Sequence, residues 1–170
     1  YALPVDLIWV VDNSNSMQEE QISLAANFPV LIDMLSNPPD ANRDGMPDWP
    51  ALTDLRLAVL STDLGVGGSD VVGCDATGDD GLFITASRQT EAPCDGFALR
   101  DAPWLTFQAE DPMSFNEGFS CLAQLGTNGC GLEQQLEASH RALTTHMTAG
   151  GPHDGFFRSN SVLSVVFVTD

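Results

Sequence analysis

Runs rich in apolar and β-branched residues set the hydrophobic pattern of the chain. The first covers residues 7–11, where apolar and polar side chains do not alternate. This is typical of a strand buried on both faces of a parallel sheet. Residues 55–63 predict a second strand, and residues 161–170 predict another buried parallel strand. Residues 82–84 and 104–107 are candidates for short strands.

Apolar residues at helical spacing predict three helices between these strands. The first begins near Met17 and runs to about Ser36, where an Asn-Pro-Pro sequence ends it. Pro29 lies inside it, so we expect a kink or a break there. The other two helices are predicted at residues 116–125 and 132–147. The chain is therefore predicted to be an α/β protein, with a mostly parallel central sheet and flanking helices.

One carboxylate and two hydroxyls, from Asp12, Ser14 and Ser16, directly follow the first strand. The carboxyl ends of such strands border the crevice in which α/β sheets usually bind ligands. Carboxylate and hydroxyl oxygens suit a small divalent cation, whereas no thiol or imidazole lies nearby in sequence for zinc or copper. The alternative is a turn of Asp and Ser residues that caps the first helix.

The Asp-x-Ser-x-Ser sequence between a strand and a long helix resembles the first loop of the metal-ion-dependent adhesion site of von Willebrand factor A domains. The Gly-rich turn before the third helix, which carries Thr127, resembles the second loop of that site, and the Thr-Asp sequence at Asp170 resembles the third. The resemblance implies a Rossmann-like fold with Mg²⁺, or Mn²⁺ or Ca²⁺, at this edge of the sheet. The ligands that it implies are Asp12, Ser14, Ser16, Thr127 and Asp170.

The resemblance implies an extracellular, metal-dependent adhesion or protein-binding module, in which an acidic side chain of a protein partner completes the coordination of the ion. The alternative is a structural subunit of a surface layer, filament or appendage that calcium ions and disulfides make rigid. An enzyme is not expected, because the nucleophile-elbow, P-loop and His-Glu-x-x-His motifs are absent. We expect His140 and His146, on the third helix, to be structural.

Residues 37–54 contain a second candidate metal site. Oxygen-bearing residues stand at positions 1, 3, 5 and 9 of a loop with Gly at position 6, which resembles the calcium loops of EF-hand, dockerin and thrombospondin-type proteins. The expected Ca²⁺ ligands are Asp40, Asn42, Asp44, the carbonyl of Met46 and Asp48. Position 12 is Ala51 instead of Glu, with Asp54 as a substitute. The alternative is an acidic turn without metal.

Four cysteines without a Cys-x-x-Cys pair favour disulfides over metal ligation, and disulfides imply an oxidising compartment. Three pairings are open. We favour Cys74–Cys94 and Cys121–Cys130, because each pair brackets a local loop. The first bridge would staple an irregular insertion at residues 65–115, and the second would limit the movement of Thr127.

The formal net charge is −18, and the chain contains no Lys. Such an acidic protein should not bind nucleic acid, because phosphates would repel it. It should attract cations or basic partners, although plain solubility explains the charge equally well. No apolar stretch is long enough for a transmembrane segment. By analogy with the family, these features indicate a secreted or cell-surface protein, of bacterial type.

We treat residues 1–170 as one domain, the amino-terminal part of a larger one. The last predicted strand is strongly apolar and would form an exposed sheet edge, which soluble proteins avoid. We therefore expect the remaining part of the domain, or another chain, to cover that strand.

Overall fold

The computed structural model describes residues 3–170, which form a mixed α/β fold around one four-stranded sheet. In chain order the elements are β1 (Val5–Val11), α1 (Gln18–Ser36), β2 (Leu55–Ser61), β3 (Leu105–Thr106), α2 (Pro112–Ala123), α3 (Gln135–Thr144) and β4 (Val162–Val168). The sheet order is β3-β2-β1-β4. β1 is parallel to both of its neighbours, and only β3 is antiparallel. The predicted α/β class and mostly parallel sheet are confirmed.

Several predicted boundaries move for local reasons. α2 begins at Pro112 because Asp111 caps it: the Oδ1 of Asp111 accepts a hydrogen bond from the N–H of Ser114 (3.1 Å), and Pro is favoured at the first helical position. α1 continues through Pro29, so the expected break is absent. Residues 82–84 form no strand, although the N–H of Ile84 reaches the carbonyl of Val59 (2.8 Å).

Both faces of β1 are covered, in keeping with the unbroken apolar run at residues 7–11. Alternate side chains of a strand point to opposite faces. Trp9 packs with α1 and α2, where the rings of Phe28 and Phe119 stack with centroids 3.6 Å apart. Ile8 and Val10 pack into a second apolar cluster on the α3 side of the sheet. β1 is therefore the fixed centre of the fold.

A buried ion pair closes the amino-terminal end of the sheet. Asp6 is 0% exposed, and its Oδ1 lies 2.8 Å from the Nη2 of Arg158 and accepts a 2.9 Å hydrogen bond from Nε. Burial alone would lower the pKa of Arg158, but hydrogen bonds to Asp54 and Asp6 outweigh it and raise the pKa. Ser161 also donates to Asp6. The start of β4 is thereby fastened to β1.

β4 forms one edge of the sheet in the described part of the chain. Val162 is 47% exposed and Phe167 is 41% exposed, so β4 is less buried than the doubly covered strand that its sequence predicts. The prediction that this strand ends up at an apolar edge is confirmed. Among the described residues, no helix combines the length and the apolar character that a membrane crossing needs.

The two disulfides pair differently from the prediction. The bonds are Cys74–Cys130 and Cys94–Cys121, so the expected pairs Cys74–Cys94 and Cys121–Cys130 are wrong. The reason is that residues 66–76 and residues 85–99 form two separate local loops, so Cys74 and Cys94 lie on different loops. This brings the Cα atoms of Cys74 and Cys130 to 4.4 Å and those of Cys94 and Cys121 to 5.1 Å. The insertion is stapled to α2 and to the segment before α3, and two disulfides indicate a non-cytoplasmic, oxidising environment.

A buried histidine joins this insertion to the end of α3. His153 is 1% exposed and its ring stacks on Phe83 with centroids 3.5 Å apart. Its Nε2 accepts from the N–H of Phe83 (3.0 Å), and its Nδ1–H donates to the carbonyl of Ala142 (3.1 Å). Burial lowers the pKa of His153 to about 4, the hydrogen bond to Ala142 opposes this shift, and neighbouring His146 adds to it. His146 donates to the carbonyl of Asp80 (2.8 Å), in agreement with the structural role predicted for it.

The free energy of unfolding should therefore fall at acidic pH, because His153 is buried in its neutral form. The pKa of His153 is about 4 in the folded state, below its ordinary 6.5, so the unfolded chain binds the proton more tightly. The contribution of neutral His153 to the free energy of unfolding is fully present above pH 6.5. It falls by about 3 kcal/mol as the pH drops to about 4. Urea unfolding of the wild type and of His153→Gln at pH 7 and pH 4 measures it. The wild type should lose about 3 kcal/mol more than the variant, and equal losses would show that His153 is not buried as a neutral ring.

Candidate functional site

Three side chains meet where β1, β2 and β4 end. Val11 is in register with Ser61 of β2 and with Val168 of β4, so the next residues, Asp12, Thr62 and Thr169, emerge side by side. The Oγ1 of Thr62 lies 3.5 Å from the Oδ1 of Asp12, and the Oγ1 of Thr169 donates to its Oδ2 (3.0 Å). Sequence reasoning named Asp12 and missed both threonines. The available signal was the Thr-Asp pair that follows the apolar run of β2 as well as that of β4.

Asp12, Ser14 and Ser16 are brought together by one tight turn. The Oδ1 of Asp12 accepts from the N–H of Ser14 (2.7 Å), and the hydroxyl oxygens of Ser14 and Ser16 lie 3.5 Å apart. Asp12 and Ser14 are buried, whereas Ser16 is exposed. The residue at the start of α1 is Met17, and no side chain caps the helix. The turn in the alternative prediction is present, but capping of α1 by Asp or Ser is not.

The carboxylate of Asp12 has an unusual electrostatic environment. It is 0% exposed, and its hydrogen-bond donors are one backbone N–H and two hydroxyls. Within residues 3–170, no Lys, Arg or His side chain pairs with it. Asp6, at the other end of β1, is equally buried but has Arg158. A buried charge is costly without an opposite charge. Asp12 therefore differs from Asp6 in that no cationic side chain of residues 3–170 balances it, and Asp63, after β2, shares this property with backbone N–H groups as its partners.

The predicted ligand Thr127 lies on a segment that is bound to this turn at two points. The N–H of Gly129 donates to the carbonyl of Asn13 (2.9 Å), and the amide of Gln21 bridges the carbonyls of Asp12 (2.8 Å) and Gly126 (3.0 Å). Thr127 stands between Gly126 and Gly129, half-buried. Its neighbourhood is therefore as predicted, although no hydrogen bond within the described residues joins its hydroxyl to Asp12, Ser14 or Ser16.

Asp170, the other predicted ligand, follows Thr169 and is exposed. Thr169 bonds Asp12 on one side and accepts from the Nε2 of Gln135 of α3 (3.1 Å) on the other, so Asp170 begins next to the buried carboxylate. The carboxylate of Asp170 has no hydrogen-bond partner in the described part of the chain. The predicted set thus comprises two carboxylates and three hydroxyls on three neighbouring loops, all hard oxygen donors of the kind that Mg²⁺ takes.

Asp63, which follows Thr62, lies in a turn beyond the end of β2 at Ser61, although residues 55–63 predict a strand. Its Oδ1 accepts from the N–H of Gly65 (2.8 Å), and its Oδ2 accepts from the N–H of Cys130 (3.1 Å). Cys130 also carries the disulfide to Cys74. Asp63 therefore fastens the segment before α3 to the end of β2.

The calcium-type loop forms an exposed turn that is held by hydrogen bonds between its own residues. The N–H of Asp44 is shared by the Oδ1 of Asp40 (3.0 Å) and the Oδ1 of Asn42 (2.9 Å). The Oδ2 of Asp40 accepts from Gly45 (2.9 Å), which has a φ of 87° that suits glycine. Met46 donates its N–H to the Oδ1 of Asp44 (2.9 Å). The side-chain oxygens of the loop thus accept from backbone N–H groups, as in the acidic turn that is the alternative to a calcium site.

Asp48 and Asp54, the remaining carboxylates near this loop, have other partners. Asp48 accepts from the N–H of Ala41 (3.1 Å) and so closes the turn. Asp54 is not available as the twelfth-position ligand, because it pairs with Arg158 at the amino-terminal end of the sheet. Among the described residues, no group of three or more His, Cys, Asp or Glu side chains is arranged to hold a metal ion.

Comparison of the chain with protein-family models, with curated proteins and with solved structures gives no match.

The contrast between the two buried carboxylates of β1 predicts opposite effects of one substitution. With chelator present, Asp12→Asn should raise the free energy of unfolding by roughly 1 kcal/mol, because it removes a buried charge that has no cationic partner. Asp6→Asn should lower it by about 3 kcal/mol, because it removes the buried carboxylate of the ion pair and leaves the guanidinium of Arg158 only the more exposed Asp54. Urea unfolding followed by tryptophan fluorescence measures both. Equal destabilisation by the two variants would contradict the distinction.

Proposed function

We propose that the chain is a metal-dependent protein-binding module of the von Willebrand factor A type. The observation that carries the proposal is the buried carboxylate of Asp12, which stands without a cation at the carboxyl edge of a parallel sheet. Mg²⁺ would supply that charge. The resemblance of the three loops supports the same ion, because each loop contributes oxygen donors of the expected type.

The proposed ligands differ in burial, and this would set which side of the ion each one contacts. The side chains of Asp12 and Ser14 are buried and would hold the ion on its protein side. Ser16, Thr127 and Asp170 are exposed or half-buried and would lie on its solvent side. Mn²⁺ or Ca²⁺ fits the same oxygen donors.

In this proposal, a protein partner binds through an acidic side chain. A net charge of −18 repels an acidic surface everywhere except at a bound divalent cation. A carboxylate of the partner is the ligand of opposite charge for that cation, and the walls of the crevice would supply specificity. The partner class is therefore a protein that presents an Asp or Glu side chain on a protruding loop.

The second candidate is a structural subunit of a surface layer, filament or appendage. It is favoured by the two disulfides that tie the insertion to the domain, by the calcium-type loop and by the apolar edge of β4. In that role Ca²⁺ at residues 40–48 would stiffen the surface, and a further strand, from this protein or from another chain, would pair with β4. A secreted or surface location of bacterial type fits both candidates.

Divalent cations should bind at Asp12 and stabilise the fold. We expect Mg²⁺ or Mn²⁺ to raise the melting temperature of the wild type, because only the folded state assembles the ligands. Asp12→Asn should remove both the shift and the Mn²⁺ binding that electron paramagnetic resonance detects. Asp95→Asn, which removes one exposed carboxylate elsewhere, is the matched control and should bind as the wild type does. Mn²⁺ binding that survives Asp12→Asn would show that the ion sits elsewhere.

The same variants distinguish the two candidate functions once a partner is in hand. Capture of that partner should be lost in EDTA and with Asp12→Asn, and kept with Asp95→Asn. Capture that survives both chelation and Asp12→Asn would exclude a metal-dependent contact. It would leave the structural subunit as the better candidate.

The calcium-type loop can be tested separately, because Trp49 adjoins Asp48. Tb³⁺ substitutes for Ca²⁺ at oxygen sites, and an adjacent tryptophan sensitises its emission. In an Asp12→Asn background, which removes the other site, we expect sensitised Tb³⁺ emission that Ca²⁺ displaces and that Asp44→Ala abolishes. Asp95→Asn is again the control. Emission that Asp44→Ala leaves unchanged would assign the loop to the metal-free acidic turn.

A further inference from the structure

Gln21 is a buried polar side chain that the proposed ligand set does not include. It is 2% exposed, on the first turn of α1, and its amide makes three hydrogen bonds. The Nε2 donates to the carbonyls of Asp12 (2.8 Å) and Gly126 (3.0 Å), and the Oε1 accepts from the N–H of Gly126 (3.0 Å). These partners fix the orientation of the amide, because each of its ends meets a group of the opposite kind.

The amide of Gln21 binds Gly126 as a neighbouring β-strand would, through both its N–H and its carbonyl. The segment that follows α2 belongs to no strand in the described part of the chain. Side chains satisfy its backbone groups instead, Gln21 at Gly126 and Gln89 at Gln124. A buried backbone group that loses its partner costs roughly 1–3 kcal/mol. Gln21 thus joins three elements at one point: the turn after β1, the start of α1 and the segment before α3.

The segment from Gly126 to Gly129 is held at both ends. Gln21 holds Gly126, and the carbonyl of Asn13 accepts from the N–H of Gly129. Gly129 also lies against the side chain of Asn13, since a Cβ added there would stand 2.3 Å from the Cγ of Asn13. Next along the chain, Cys130 is bonded to Cys74. Thr127 is therefore confined between fixed neighbours. On its amino-terminal side, Gln21 holds Gly126, the residue directly before it, and Gln89 donates to the carbonyl of Gln124 (2.7 Å) further back.

We infer that Gln21 is a positioning residue of the proposed metal site, which sets Thr127 at its working distance from Asp12. This inference rests on the proposed function. Gln21 would thus contribute to the affinity of the site for its cation without touching the ion. The bond to the carbonyl of Asp12 and the bonds to Gly126 come from one planar amide, so the first and second loops are held in a single relative position. Loss of an outer residue that orients a ligand typically lowers metal affinity by about 10- to 100-fold.

A double-mutant cycle with Thr127 separates positioning from general stabilisation. Gln21→Met keeps the length and the packing of the side chain but removes its hydrogen bonds, and Gln18→Met, on the exposed face of the same helix, is the matched control. We expect Gln21→Met to weaken Mn²⁺ binding by about tenfold or more in the wild type. In the Thr127→Ala background it should weaken binding less than about twofold, because the ligand that it orients is gone. Gln18→Met should change neither value.

Hydrogen exchange supplies a readout that needs no metal. In EDTA, Gln21→Met should increase exchange at the amides of Gly126 and Thr127, whereas Gln18→Met should not. Equal weakening of Mn²⁺ binding by Gln21→Met in both backgrounds would reduce Gln21 to a structural residue and overturn the inference while the proposed function stands. Unchanged affinity, or unchanged exchange, would overturn it as well. A wild type that binds neither Mn²⁺ nor Mg²⁺ would overturn the proposed function and this inference together.

Discussion

The parallel register of β1 with both of its neighbours is the constraint on which the rest of the molecule depends. Seven consecutive residues of β1 pair with β2 on one side and with β4 on the other, without an offset that would separate their ends. The side chains that follow the three strands are therefore placed by the sheet and not by loop conformation. Parallel pairing of this kind also requires long crossovers, which supply the helices that bury both faces of β1.

A buried carboxylate lies at each end of β1, and the two are compensated differently. At the amino-terminal end, the carboxylate of Asp6 is neutralised by a guanidinium from the segment before β4. At the carboxyl end, Asp12 receives dipoles, from one N–H and two hydroxyls, and no full positive charge from residues 3–170. Dipoles can orient a buried carboxylate, but they compensate its charge less completely than a cation does. One end of β1 thus carries a carboxylate neutralised by an ion pair, and the other carries a carboxylate that only dipoles compensate.

Much of this architecture could be predicted because its signals are local. The apolar runs that form β1, β2 and β4, and the helical spacing that forms α1, are visible in short windows of sequence. The turn from Asp12 to Ser16 was predicted for the same reason. The contributions of Thr62, Thr169 and Gln21 were not, because they depend on which strand lies beside which and on how the segment after α2 returns to α1. The disulfide prediction failed similarly: proximity in sequence favoured Cys74–Cys94, whereas the path of an irregular insertion decided the pairing.

The observed disulfides, Cys74–Cys130 and Cys94–Cys121, affect the order in which the chain can fold. The two bridges are nested, since Cys94 and Cys121 both lie within the loop that Cys74 and Cys130 close. Once the inner bridge forms, the chain that the outer bridge must close is shorter by roughly half, which lowers the entropy lost on closure. Both bridges also precede β4 in the sequence, so a chain that emerges from its amino terminus can complete its covalent framework first. When the edge strand β4 then pairs with β1, it brings Thr169 to Asp12 and completes the carboxyl end of the sheet.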